Sequence, residues 1–191
     1  MMLRRSSFWL LVSLALSSLS CPVAAGQEAK AGFRIKPSDV VPPADVKLGD
    51  YQRTIRPFEN WTLICDEKVK ARQRVCNVTQ TIENQLGQVA FSWSLAATKE
   101  GSPYMIVRTA PIADADAPLA LAFEGRKEPV KIRLDGCNQA VCVGMLPVGP
   151  IMRDQISKKS SPTISYATRT GKTISLVAPL SGLSAAVEAI N

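Results

Sequence analysis

The chain has 191 residues and not one histidine. That absence removes the Ser-His-Asp and Cys-His catalytic arrangements, histidine metal ligands and the imidazole proton shuttle. Carboxylate, lysine, tyrosine or N-terminal chemistry is what remains. The sequence also lacks a membrane-length apolar run. Its longest, Phe8 to Leu19, is about 12 residues, short of the ~20 that a helix needs to cross a bilayer. A CxxC pair is missing too, because ten residues separate Cys65 from Cys76 and four separate Cys137 from Cys142. That spacing excludes a zinc knuckle or a redox pair of the usual kind. The run Thr170-Gly171-Lys172-Thr173 lacks the glycine that a phosphate loop needs five positions earlier, where Tyr166 stands. A hairpin turn is the reading for it.

What is present begins with an export signal. Arg4 and Arg5 precede the apolar stretch, and Val23-Ala24-Ala25 supplies the small residues that a signal peptidase reads. A signal peptide is therefore expected over 1–25. Cys21 raises the alternative of a lipid-modified N-terminus, but Ser18-Leu19-Ser20 before it lacks the usual apolar residue at −3. Removing residues 1–25 takes two arginines and no acids, so the formal charge falls from +7 to +5. That mild excess suits loose attraction to anionic lipid or polysaccharide, whereas nucleic-acid binding needs a denser basic patch.

The mature chain keeps Cys65, Cys76, Cys137 and Cys142, an even count that reads as two disulfides in an oxidising compartment. Four cysteines allow three pairings, and the spacings favour local bridges.

Residues 26–57 hold Pro37, Pro42, Pro43 and Pro57, many charges and no sustained apolar period, which predicts an extended or flexible arm. From Phe58 onward short apolar runs recur with turn residues between them. Val89, Phe91, Trp93 and Leu95 alternate with small residues, and Val130, Ile132 and Leu134 alternate with Lys131, Arg133 and Asp135. Trp61 and Trp93 are expected in the core. Pro150 suits a first helical position before Ile151, Met152, Gln155 and Ile156, and Leu183, Ala186, Val187 and Ile190 follow helical spacing. About eight strands, two short helices and no βαβ rhythm predict an all-β fold, an antiparallel sandwich or small barrel, over 58–191.

Two groups of charges invite a functional reading. Asp114 and Asp116 are the closest carboxylate pair, but they sit in a proline-bounded loop and read as solvated. Arg126, Lys127, Lys131 and Arg133 cluster around one strand. Lys131 and Arg133 share a face, which marks a basic contact surface for an acidic partner or an anionic glycolipid.

The order of features resembles the invasion-associated locus B family of bacterial envelope proteins. The residues that carry the resemblance are Trp61-Thr62-Leu63-Ile64-Cys65-Asp66, then Cys76 with Gln80, then Ile132-Arg133-Leu134-Asp135-Gly136. Cys137 and Cys142 follow, then a short helix ending Ile156-Ser157-Lys158-Lys159, and a closing strand at Ile174-Ser175-Leu176. The resemblance implies an all-β periplasmic or outer-membrane-associated protein of a Gram-negative cell, with Cys65 bridged to Cys76 and Cys137 to Cys142. It brings no catalytic residues and no cofactor. The chain departs from the family pattern in its long arm and in placing Cys137 directly after Gly136.

The expected function is a non-catalytic envelope module. Its partner would be an envelope protein, peptidoglycan or a host-surface component, engaged through sheet edges and the basic face. A carboxylate-based hydrolase of cell-wall polymer is the alternative, with two facing carboxylates ~5–10 Å apart as its mark. An assembly role for the arm is a third.

Overall fold

The computed structural model describes residues 41–98 and 100–190. The expected signal peptide, Cys21 and arm residues 26–40 lie outside the described residues. In chain order the elements are β1 (Tyr51–Phe58), β2 (Trp61–Lys68), β3 (Gln73–Glu83), β4 (Val89–Ala97), β5 (Pro103–Thr109) and β6 (Leu119–Ala122). After these come β7 (Val130–Ile132), β8 (Leu134–Cys137), β9 (Cys142–Pro147), α1 (Pro150–Ser157), β10 (Thr163–Ala167), β11 (Thr173–Val177) and α2 (Leu183–Glu188). They form a seven-stranded sheet, ordered β1-β2-β3-β4-β5-β9-β8, and a four-stranded sheet, ordered β11-β10-β6-β7. Every pairing is antiparallel. This is an all-β sandwich with two short helices and no closed barrel.

The alternation in the sequence produces the core directly. Successive strand side chains point to opposite faces, so Trp61, Leu63 and Cys65 face inward while Thr62, Ile64 and Asp66 face out. Phe91 and Trp93 do the same on β4, Met105 and Val107 on β5, and Ile164 and Tyr166 on β10. Trp61 stacks on Trp93 with ring centroids 5.4 Å apart, and Phe91 meets Trp93 edge-on at 5.5 Å. Each fully buried aliphatic or phenyl side chain here contributes roughly 1.5–3 kcal/mol.

Buried polar groups tie the C-terminal segment to this core. The Gln80 amide donates to the Asn60 and Pro179 carbonyls at 3.1 and 2.9 Å and accepts from Trp93 Nε1 at 2.9 Å. Trp61 Nε1 donates to the same Pro179 carbonyl at 3.1 Å. Gly182 then starts α2 at φ +91, with the Phe58 carbonyl 2.0 Å from where a Cβ would stand. Both the backbone angle and the close approach require glycine there.

Four expectations change. The arm was expected to run to residue 57, but Tyr51–Phe58 pairs with β2 along its whole length. The single strand expected around 130–134 is two strands in different sheets, broken at Arg133. The chain turns this corner because Gly144 lets the Arg133 carbonyl approach to 2.4 Å from its missing Cβ. The described residues hold eleven strands where about eight were expected. In α1, Met152 and Gln155 are buried as the helical face predicts, but Ile151 points to solvent.

Candidate functional site

Of the four basic residues, two line a common groove and two do not. Lys131 lies opposite Ala120 on the outward side of the four-stranded sheet, and Arg133 marks the corner between sheets. The two line a common groove of about 610 Å³ with Asp116, Asp135, Leu134, Gly136 and the Ala117-Pro118 segment. Two cations and two carboxylates therefore share one rim. Its charge is mixed where the sequence reading expected a basic surface. Arg126 and Lys127 sit in the β6–β7 connection and do not line the groove. Lys158 donates to Asp154 at 2.8 Å and holds that carboxyl below the usual range, and the positive charge of Arg126 helps.

Asp114 serves its own loop. Its Oδ1 accepts the Asp116 N–H at 3.1 Å, while its backbone N–H donates to the Ala167 carbonyl at 2.9 Å. The Thr170-Gly171 segment closes the β10–β11 hairpin, with Gly171 at φ +77 and its N–H on the Thr168 carbonyl at 2.8 Å. Among the described residues, no three His, Cys, Asp or Glu side chains are placed to hold a metal ion.

Both disulfides join residues directly opposed in antiparallel ladders, Cys65 with Cys76 and Cys137 with Cys142. The first pins β2 to β3 on the inward face, with Cys65 in the core and Cys76 packed against it, while Val75 and Asn77 beside it project from the opposite face. The second closes the β8–β9 hairpin, whose tip is ordered by Asn138 Oδ1 accepting the Ala140 and Val141 N–H groups.

The surface that sequence reasoning missed is the far side of the large sheet. Pro57, Thr62, Thr79, Ser94, Ile106 and Met145 lie in one uncharged row across six strands. Ile55 and Val75 stand on the same side, 61% and 72% exposed. Ser94 is buried, and Arg108 donates to its hydroxyl at 2.9 Å. At the edge, Arg53 makes a two-point contact with Asp66 at 2.6 and 2.9 Å, and Tyr51 donates to the same carboxylate at 2.6 Å. These donors, Arg53 first, hold Asp66 below the ordinary carboxylate range against partial burial. The sequence signal for β1 was present in Ile55 and Phe58. Two arginines and Pro57 hid it.

Among the described residues no helix is long and apolar enough to cross a membrane. The family described as "Invasion associated locus B (IalB) protein" matches residues 61–191. The crystal structure of invasion associated protein b from Bartonella henselae superposes with a TM-score of 0.57 at 14% identity, covering 72% of this chain and 94% of that one. At that identity the likeness is one of fold. No curated protein matches the chain.

Proposed function

Because the chain belongs to the invasion associated locus B family, we propose that it is an exported, non-catalytic binding module of the bacterial envelope, periplasmic or outer-membrane-associated. The observation that carries the reading is the solvent-facing side of the seven-stranded sheet, with its uncharged row and the exposed Ile55 and Val75. Exposed apolar side chains on a sheet that has a complete core on its other face mark a contact surface. Two cross-strand disulfides support an oxidising compartment. The mixed rim of Lys131, Arg133, Asp116 and Asp135 supplies polar, orientation-setting contacts to an envelope protein, peptidoglycan or anionic glycolipid. The name of the Bartonella protein extends this to a host-surface partner.

Co-sedimentation of the purified mature chain with isolated envelopes tests the reading. Binding is expected to be saturable, and to weaken when Ile55 and Val75 are both changed to lysine. Lys131→Glu with Arg133→Glu is expected to alter its salt dependence. No saturable binding, or binding indifferent to both pairs of changes, refutes it. Hydrolysis of cell-wall polymer by the pure protein would refute the non-catalytic part.

A further inference from the structure

Four strands end the two sheets, and they are not equivalent. β7 has three residues. β8 has four, with a register shift between Leu134 and Gly136 and a disulfide at its end. β11 has five. β1 has eight, in unbroken register with β2. Short, bulged, charged, proline-bearing or covered edges are the ordinary protection against strand addition. β1 is neither short nor bulged and has no covering strand among the described residues, and its protection is confined to Pro57 near one end and the arginines Arg53 and Arg56.

The phase of its hydrogen bonding follows from one contact. Val69 N–H donates to the Asp50 carbonyl at 2.9 Å. Alternation along an antiparallel ladder then turns the backbone groups of Gln52, Thr54, Arg56 and Phe58 toward β2. Those of Tyr51, Arg53, Ile55 and Pro57 turn away from it. Three N–H groups and four carbonyls thus line an edge on which the described residues place no partner.

We infer that this edge pairs with β1 of a second copy of the chain, antiparallel about a twofold axis through Thr54. In that register Arg53 and Ile55 of one copy exchange both backbone bonds with Ile55 and Arg53 of the other. Tyr51 N–H reaches the Pro57 carbonyl, so the donor that proline lacks is missing only at the ends. Arg53 faces Ile55, and Arg56 faces Gln52, so no arginine opposes an arginine. A twofold axis through Arg53 would set two guanidinium groups opposite each other. One through Ile55 would place Pro57 opposite Arg53, forfeiting bonds nearer the centre. A symmetric edge contact of this kind is self-limiting, because pairing consumes the edge it uses.

The inference goes beyond envelope binding and is tested without an envelope. Sedimentation of the mature, oxidised chain over rising concentration is expected to show a reversible monomer–dimer equilibrium. Ile55→Pro removes an outward N–H that the β1–β2 ladder does not use, and is expected to leave a folded monomer. Ile55→Arg sets like charges opposite Arg53 twice per dimer and is expected to weaken association about tenfold. Ile55→Glu sets opposite charges there and is expected to tighten it. Near-UV circular dichroism establishes that each variant is folded. A monomer at every concentration overturns the inference, whether the edge is bare or covered by residues 26–40. Equal weakening by arginine and glutamate overturns the register.

Discussion

Replacing Gln80 with leucine tests how the C-terminal third is held. The side chain is buried and makes three hydrogen bonds, to the Asn60 and Pro179 carbonyls and from Trp93 Nε1. Leucine is close in size, so little cavity forms and the loss is mainly polar. Pro179 keeps its bond from Trp61 Nε1. The Trp93 N–H and the Asn60 carbonyl lose the partner that Gln80 supplied. The Trp93 N–H lies in the core and, left unpaired, costs about 1–3 kcal/mol, whereas Asn60 is exposed and its carbonyl turns to water. Against a typical domain stability of about 5–15 kcal/mol, that is a large fraction. Urea unfolding of the oxidised protein, followed by tryptophan fluorescence, reads it as a lower midpoint at unchanged slope. The Trp61–Trp93 stack reports on the site itself.

The glutamate variant adds a signed check. Gln80→Glu keeps an acceptor for Trp93 but, when ionised, turns a carboxylate oxygen on two carbonyls. Its folded-state pKa is therefore raised above the unfolded value of about 4.3. The stability it retains is full below pH 4.3 and is lost as pH rises through the folded value. Greater stability of Gln80→Glu at pH 4 than at pH 7, relative to the parent, is expected. A leucine variant within about 0.5 kcal/mol of the parent would refute the reasoning, since 1 kcal/mol is the least that an unpaired buried group costs.

Other outcomes follow from the same geometry. Asp66 is held below its ordinary pKa chiefly by Arg53, so its contribution is present above the unfolded value of about 3.9 and lost as pH falls through the folded one. Asp66→Asn is expected to flatten the acid limb of stability against pH, measured by denaturant midpoints from pH 6 to 2. Gly171→Ala meets only backbone strain, with open space around it, and is expected to cost about 1–2 kcal/mol. Gly182→Ala meets that strain and the Phe58 carbonyl as well, so its melting temperature is expected to fall clearly further. Removing the Cys65–Cys76 or the Cys137–Cys142 bridge as an alanine pair is expected to lower stability by roughly 2–3 kcal/mol each in the loop-entropy account. Calorimetry of both pairs checks this.

Much of the β domain is visible in the residues themselves because its alternation is strict. Trp61, Phe91, Trp93, Ile132, Ile164 and Tyr166 are inward by sequence pattern and buried in the structure. Period-two alternation reports which face of a strand is buried, and it needs no knowledge of the partner strand. The disulfide pairs were legible for a similar reason. Their spacing is short enough for a single hairpin to bring each pair together.

The surface was less legible. Whether Lys131 and Arg133 form a basic face depends on what stands across the groove, and Asp116 arrives there from a loop fifteen residues earlier than Lys131. The strand break at Arg133 depends on Gly144, which belongs to another strand of the sheet. β1 reads as an arm by composition, because proline and charge weaken a local strand signal. Its sheet pairing comes from β2, which offers it a complete ladder partner.

The sequence by itself determined the strand phase and the inward residues, since each depends on neighbours along the chain. Tertiary structure alone decided which edge lacks a partner among the described residues, which charges met and which glycines were indispensable. Those outcomes depend on close approach between segments far apart in sequence, such as Gly182 against Phe58, and no local pattern records that distance.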